Sequence, residues 1–90
     1  MHYRFPVPTT SDLAAERRIA FGHRVREVRM RAGLTQTAAA KACGLDRSFY
    51  AEVESARHSV SVDRLYAIAD GLGVSVHELL PDNAGQPVTA

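Results

Sequence analysis

The 90-residue chain has a single cysteine, Cys43, so no internal disulfide can form and nothing points to an oxidising compartment. Cys43 itself reads as a small buried residue. No apolar run approaches the roughly 18 residues that cross a bilayer, and the first residues lack the basic-then-apolar order of a secretory signal. The expected location is therefore the cytoplasm. Histidines are few: His2, His23, His58 and His77 do not pair on one helical turn, and His77-Glu78 lacks the second histidine of a zinc-protease helix. Gly71-Leu72-Gly73 lacks the rest of a dinucleotide fingerprint and follows a helical pattern instead of a strand, and no Cys-x-x-Cys or phosphate loop exists. Neither metal nor cofactor is expected, and no catalytic constellation is present. A chain of this length makes one domain without a deep cleft between lobes, which removes most enzyme architectures.

What is present is an ordinary folding composition, 46% hydrophobic and 23% charged. The net charge of +1 conceals an asymmetry. Residues 17 to 58 hold nine positive charges against four negative ones, whereas beyond residue 60 Arg64 stands against Asp63, Asp70, Glu78 and Asp82. One end of the molecule can thus face an anion. Ten of the eleven basic residues are arginine, whose planar donor fork suits phosphates and guanine edges, although a G+C-rich genome also favours it.

Residues 1 to 18 read as an N-terminal arm and helix extension, with Pro6 and Pro8 interrupting any helical period. Thr10 or Ser11 is placed to cap a helix running to Ala32, with Asp12 in its first turn and Gly33 closing it. Leu13, Phe21, Val25 and Val28 supply its apolar positions. Gly22 inside it costs about 1 kcal/mol relative to alanine, so a break into an extension and a core helix starting near Ala20 is expected. Thr35 caps a short segment from Gln36 to Cys43 that Gly44 ends. Asp46 caps the next, Arg47 to Ser55, in which Phe49, Tyr50 and Val53 share one side while Arg47, Ser48, Ala51, Glu52 and Ser55 lie round the rest. Ser61 caps a helix striped by Val62, Leu65, Ile68, Ala69 and Leu72, and Ser75-x-x-Glu78 forms a capping box for a last short helix stopped by Pro81. The fold class is all-α, a bundle of five helices, with residues 81 to 90 a flexible C-terminal tail.

Two short helices joined by a Gly-containing turn fit two readings: an ordinary helical hairpin, or a pair that lays its second helix in the DNA major groove. Gly33-Leu34-Thr35-Gln36, Ala40, Gly44-Leu45 and Val53-Glu54 resemble the phage Cro/repressor helix-turn-helix family, the XRE-like regulators. The match extends upstream through Phe21-Gly22 and Val25-Arg26, and downstream through Ser61-Val62-Asp63 and Ile68 to Ser75, covering about residues 20 to 80. The resemblance implies a five-helix lambda-repressor-like domain over residues 19 to 80 that binds double-stranded DNA as a homodimer on a palindromic operator.

It further implies that Arg47, Ser48 and Glu52 meet base edges, and that Gln36, Thr35, Ser55, Arg57 and His58 meet phosphates. Arginine pairs bidentately with guanine and Glu52 can accept from cytosine N4, although Glu52 can equally pair with Arg47 or repel phosphate. Arg29 and Glu54 correspond to a structural salt bridge. Tyr66, Val74, Val76, Leu79 and Leu80 are the expected dimer interface, with closure of the monomer core as their other use. The chain departs from the family at Ala39 and Tyr50, at Ala51 in place of a frequent serine, and at Ala56 and Val60 in place of a glycine and a proline. The expected function is transcriptional regulation without enzymatic activity. The alternatives are a restriction-modification controller, or an antitoxin with a toxin protein as partner.

Overall fold

The computed structural model describes residues 9–81; the expected arm before Thr9 and the tail after Pro81 lie outside them. Thr9, one residue earlier than expected, caps the first helix. Its hydroxyl accepts from the Asp12 amide at 3.0 Å and the Asp12 carboxylate accepts from the Thr9 amide at 3.2 Å, a reciprocal pair that satisfies two donors at the helix start. This helix, α1 (Thr10–Arg31), is continuous, so neither Gly22 nor the boundary drawn between residues 18 and 19 marks a break.

The other caps hold α2 (Gln36–Cys43), α3 (Arg47–Glu54), α4 (Val62–Leu72) and α5 (Val76–Leu79). Thr35 Oγ1 accepts from the Ala38 amide, Asp46 Oδ2 from the Ser48 and Phe49 amides, and Ser61 Oγ from the Arg64 amide. Between α2 and α3 the chain turns at Gly44, whose φ of 68° is a conformation glycine adopts at no steric cost. Ala56 takes a φ of 64° after α3 without that freedom, where the resembled family has glycine, and the loop carries a strain of about 1–2 kcal/mol.

Packing follows the apolar stripes: α4 lies on α2, α2 on α3, α1 on α3 and α5, and α5 on α4. The core consists of Val25, Val28, Ala39, Ala40, Cys43, Tyr50, Val53, Ile68, Ala69, Leu72 and Leu79. Leu79 does not belong to a dimer face, contrary to the sequence-based expectation. It is 0% exposed, because α5, pinned at its start by a 3.4 Å bond from the Ser75 amide to Glu78 Oε2, turns this residue into the gap between α1 and α4.

Two glycines set how closely the helices approach. A β-carbon at Gly22 would sit 2.6 Å from the Glu54 carbonyl oxygen and 2.7 Å from that of Val53; one at Gly71 would sit 2.6 Å from Cys43 Sγ and 2.7 Å from its Cα. The end of α3 therefore rests directly on the backbone of α1, and α4 on that of α2. No strand occurs among the described residues, and no helix there is long and apolar enough to cross a membrane.

Candidate nucleic-acid interface

Helix α3 has only eight residues, too few to be stable alone, so its orientation is fixed by what it buries. Tyr50 and Val53 are almost wholly buried, Phe49 is half-buried, and Arg47 and Ser48 on the other side are exposed. Arg47 Nε donates to Thr37 Oγ1 at 2.8 Å, which ties the side chain to the start of α2 and leaves both Nη groups as donors. The pairing of Arg47 with Glu52 weighed above does not form. Instead Glu52 Oε1 lies 2.8 Å from His58 Nε2, so one residue expected at bases and one expected at phosphates are joined to each other.

His58 is also fixed from the side. Its ring stacks on Phe49 with centroids 5.5 Å apart and planes 13° from parallel, and the Arg64 guanidinium lies over the Phe49 ring, 4.5 Å from its centroid. Ring stacking adds about 0.5–1.5 kcal/mol and an exposed cation on a ring about 0.5–1 kcal/mol. Together they hold the loop after α3 more firmly than the exposed Glu52–His58 pair could alone.

The remaining expected contacts flank this centre. Arg57 is exposed and forms no side-chain bond among the described residues. Ser55 Oγ donates to the Glu52 carbonyl at 3.2 Å, so it must turn to reach a phosphate. Thr35 Oγ1 is occupied as an acceptor in its cap but keeps its proton to donate. Gln36 turns partly inward: Nε2 donates to Glu54 Oε1 at 3.1 Å, leaving one amide hydrogen for a phosphate.

Beneath the surface, Arg29 Nε and Nη2 donate to the two Glu54 oxygens at 2.6 and 3.1 Å, and Nη1 donates to the Leu34 carbonyl at 2.8 Å. One guanidinium thus clamps α1, the turn before α2 and the end of α3. Burial alone would raise the Glu54 carboxyl, but the hydrogen bonds from Arg29 and Gln36 outweigh it and hold the group below the usual carboxylate range. The hydrogen bond to Glu54 raises Arg29 in turn, against the opposing effect of burial. Burial also pushes Tyr50 far up, with the Glu54 carboxylate adding to the effect. The Tyr50 hydroxyl stays neutral and makes no hydrogen bond of normal geometry among the described residues.

Of the expected dimer residues, Tyr66 is 56% and Leu80 44% exposed, whereas Val74 and Val76 are half-buried against the core. Val62 on α4 adds an exposed apolar side chain at 67%. The sequence reading missed three participants. Thr37 lies ten residues from its partner Arg47, Phe49 read only as a core position, and Arg64 stood out solely as the lone cation of the acidic half.

A short helix held outward after a glycine turn, with an arginine and a serine exposed at its start, fits the class of helix-turn-helix regulators. The family described as "Helix-turn-helix domain" matches residues 20–80, and the chain belongs to it. It is a DNA-binding transcription regulator of the Cro/repressor, XRE-like kind. Control protein C.MunI of Mycoplasma sp is 33% identical over 66 residues, 72% of this chain and 89% of that protein. The crystal structure of the restriction-modification controller protein C.AhdI from Aeromonas hydrophila superposes with a TM-score of 0.69 at 36% identity, covering 70% of this chain and 96% of that one. The hypothetical transcription factor NHTF from Neisseria superposes with the same score at 29% identity, over 89% of this chain and 87% of its own.

Proposed function

We propose that this regulator occupies a palindromic operator as a homodimer, with α3 in the major groove of each half-site. The observation that carries the reading is the outward side of α3, where Arg47 and Ser48 are exposed while the opposite side is anchored by Tyr50, Val53 and the Arg29–Glu54 clamp. One helix spans only a few base pairs; a two-fold dimer doubles the contacts and matches a palindrome. Arg47 reads guanine, Ser48 and Glu52 meet neighbouring base edges, and Arg57, Thr35, Gln36 and Ser55 fix the register on phosphates. The proposed partner, genomic DNA, makes the cytoplasm the site of action.

Binding-site selection on random duplex tests this directly, since recovery of a two-fold symmetric sequence is expected. Arg47→Ala should relax the preference at one base pair per half-site, a loss of about 1–3 kcal/mol of discrimination. Arg57→Ala should instead weaken all sequences alike and lower the salt slope by about one per lost phosphate contact. An unchanged base preference in Arg47→Ala would remove that residue from the readout.

Exposed apolar residues on and beside α4 support a dimer face built on Tyr66, Val62 and Leu80, with the half-buried Val74 and Val76 contributing what they leave exposed. In Tyr66→Asp, sedimentation should shift toward monomer at unchanged helicity; a variant that still sediments as the wild type would take α4 out of the interface.

The similarity to C.MunI and C.AhdI, which spans nearly their whole length, favours a restriction-modification controller within the regulator class. Adjacent methyltransferase and endonuclease genes are then expected. A small toxin-like reading frame in their place would favour the antitoxin reading.

A further inference from the structure

We propose that His58 is a positioning residue for sequence readout: it holds the Glu52 carboxylate on the groove side of α3 so that the free oxygen accepts from one base. This rests on the operator-binding reading above and assigns a role that the phosphate contact expected for His58 does not include.

A glutamate facing DNA is ordinarily a liability, because its charge repels phosphate and its long side chain samples many rotamers. Here both problems are met by one neighbour. The bond to His58 Nε2 at 2.8 Å engages Oε1, which requires the imidazole proton on Nε2 and leaves Oε2 as an acceptor. The imidazole is itself oriented, lying 13° from parallel on Phe49, whose ring also carries the Arg64 guanidinium. The order Arg64, Phe49, His58, Glu52 therefore runs from α4 across α3 and its following loop to the base-reading side. Each member contacts the next, and Phe49 is held by its packing against the core. The base group that suits an acceptor-only carboxylate in the major groove is an exocyclic amine, that of cytosine foremost. In this arrangement His58 contributes to discrimination at that one base pair and little to affinity for the rest.

The test uses the full chain in binding-site selection and in affinity measurements on the selected operator and its single-base variants. The set comprises wild type, His58→Leu, His58→Gln, Glu52→Gln and the double variant His58→Leu/Glu52→Gln, each checked for helicity. His58→Leu should lose about tenfold of discrimination at one base pair per half-site and leave the others intact. His58→Gln, which keeps an N–H donor for the carboxylate, should restore much of it. In the Glu52→Gln background, His58→Leu should change discrimination no further, because the two residues act as one unit. A selective wild type in which His58→Leu weakens all sequences equally, or in which the two substitutions act independently, would overturn the positioning role alone. A wild type that selects no sequence would overturn the operator reading and this inference with it.

Discussion

Arg29→Ala is expected to lose about 3–5 kcal/mol of stability, because it leaves the Glu54 carboxylate buried with a single amide donor from Gln36. Glu54 is 7% exposed and sits where α3 ends, so its carboxylate depends on protein donors for most of its hydrogen bonding. The arginine also satisfies the Leu34 carbonyl, and its removal loosens the entry to α2 as well. A small domain has about 5–15 kcal/mol in total, so a loss of this size leaves an appreciable unfolded fraction. Urea unfolding followed by circular dichroism measures it. The variant should also bind DNA poorly, and added osmolyte, which favours the compact state, should recover binding. If stability were intact and binding lost, Arg29 would be a DNA contact instead of a clamp. Replacing both partners by apolar residues of similar volume should cost much less than removing one.

The same pair fixes a pH response. The Glu54 carboxyl is depressed in the folded state, so the unfolded chain takes up its proton first as the medium is acidified. Its contribution is complete above the ordinary carboxylate value of about 4.3 and is lost as pH falls through the lower folded value. Arg29 remains charged throughout that window and adds no titration of its own. Glu54→Gln should lower stability at neutral pH and remove this component of the acid transition. An acid limb as steep in Glu54→Gln as in wild type would assign it to other carboxylates.

Gly22→Ala is the second large effect, and helix propensity by itself predicts the wrong sign. On an isolated helix the change gains about 1 kcal/mol. In the folded chain the new methyl would lie 2.6 and 2.7 Å from two backbone carbonyl oxygens of α3, which cannot rotate away as a side chain could. Helix α3 must then move off α1, stretching the Arg29–Glu54 clamp and opening the core round Val25 and Val53. Overpacking of this kind costs about 1–3 kcal/mol, enough to outweigh the propensity gain. A lower urea midpoint is expected, together with weaker operator binding because α3 is displaced. Gly71→Ala, against Cys43, should destabilise for the same reason while leaving α3 nearer its position. A Gly22→Ala protein more stable than wild type would falsify the close contact.

The residues that cap helices were legible because capping acts over three or four positions: Thr35, Asp46 and Ser61 each bond amides two or three residues away. The cap of the first helix lies one residue before Thr10, since Thr9, Thr10 and Ser11 are all competent caps and only the Asp12 partner selects among them. The exposure of Arg47 and Ser48 on α3 was legible in the sequence, but the contacts among the candidate residues were not. Glu52 and His58, assigned to different kinds of DNA atom, are each other's partner, and Gln36 divides its amide between Glu54 and the surface.

Local order alone therefore determined five helices, the N-caps of all but the first and the polar side of α3, because helical periodicity and capping depend on neighbours within a turn or so. Tertiary structure decided the rest. It sent Leu79 inward although its local pattern equally suits a surface. It turned Gly22 from a weak point of α1 into a seat for α3, and it brought Arg29 onto Glu54, 25 residues away, a pairing that the family resemblance implied but local pattern could not give. Such outcomes depend on the distance between elements far apart in the chain, and that distance is set only when the whole core packs at once.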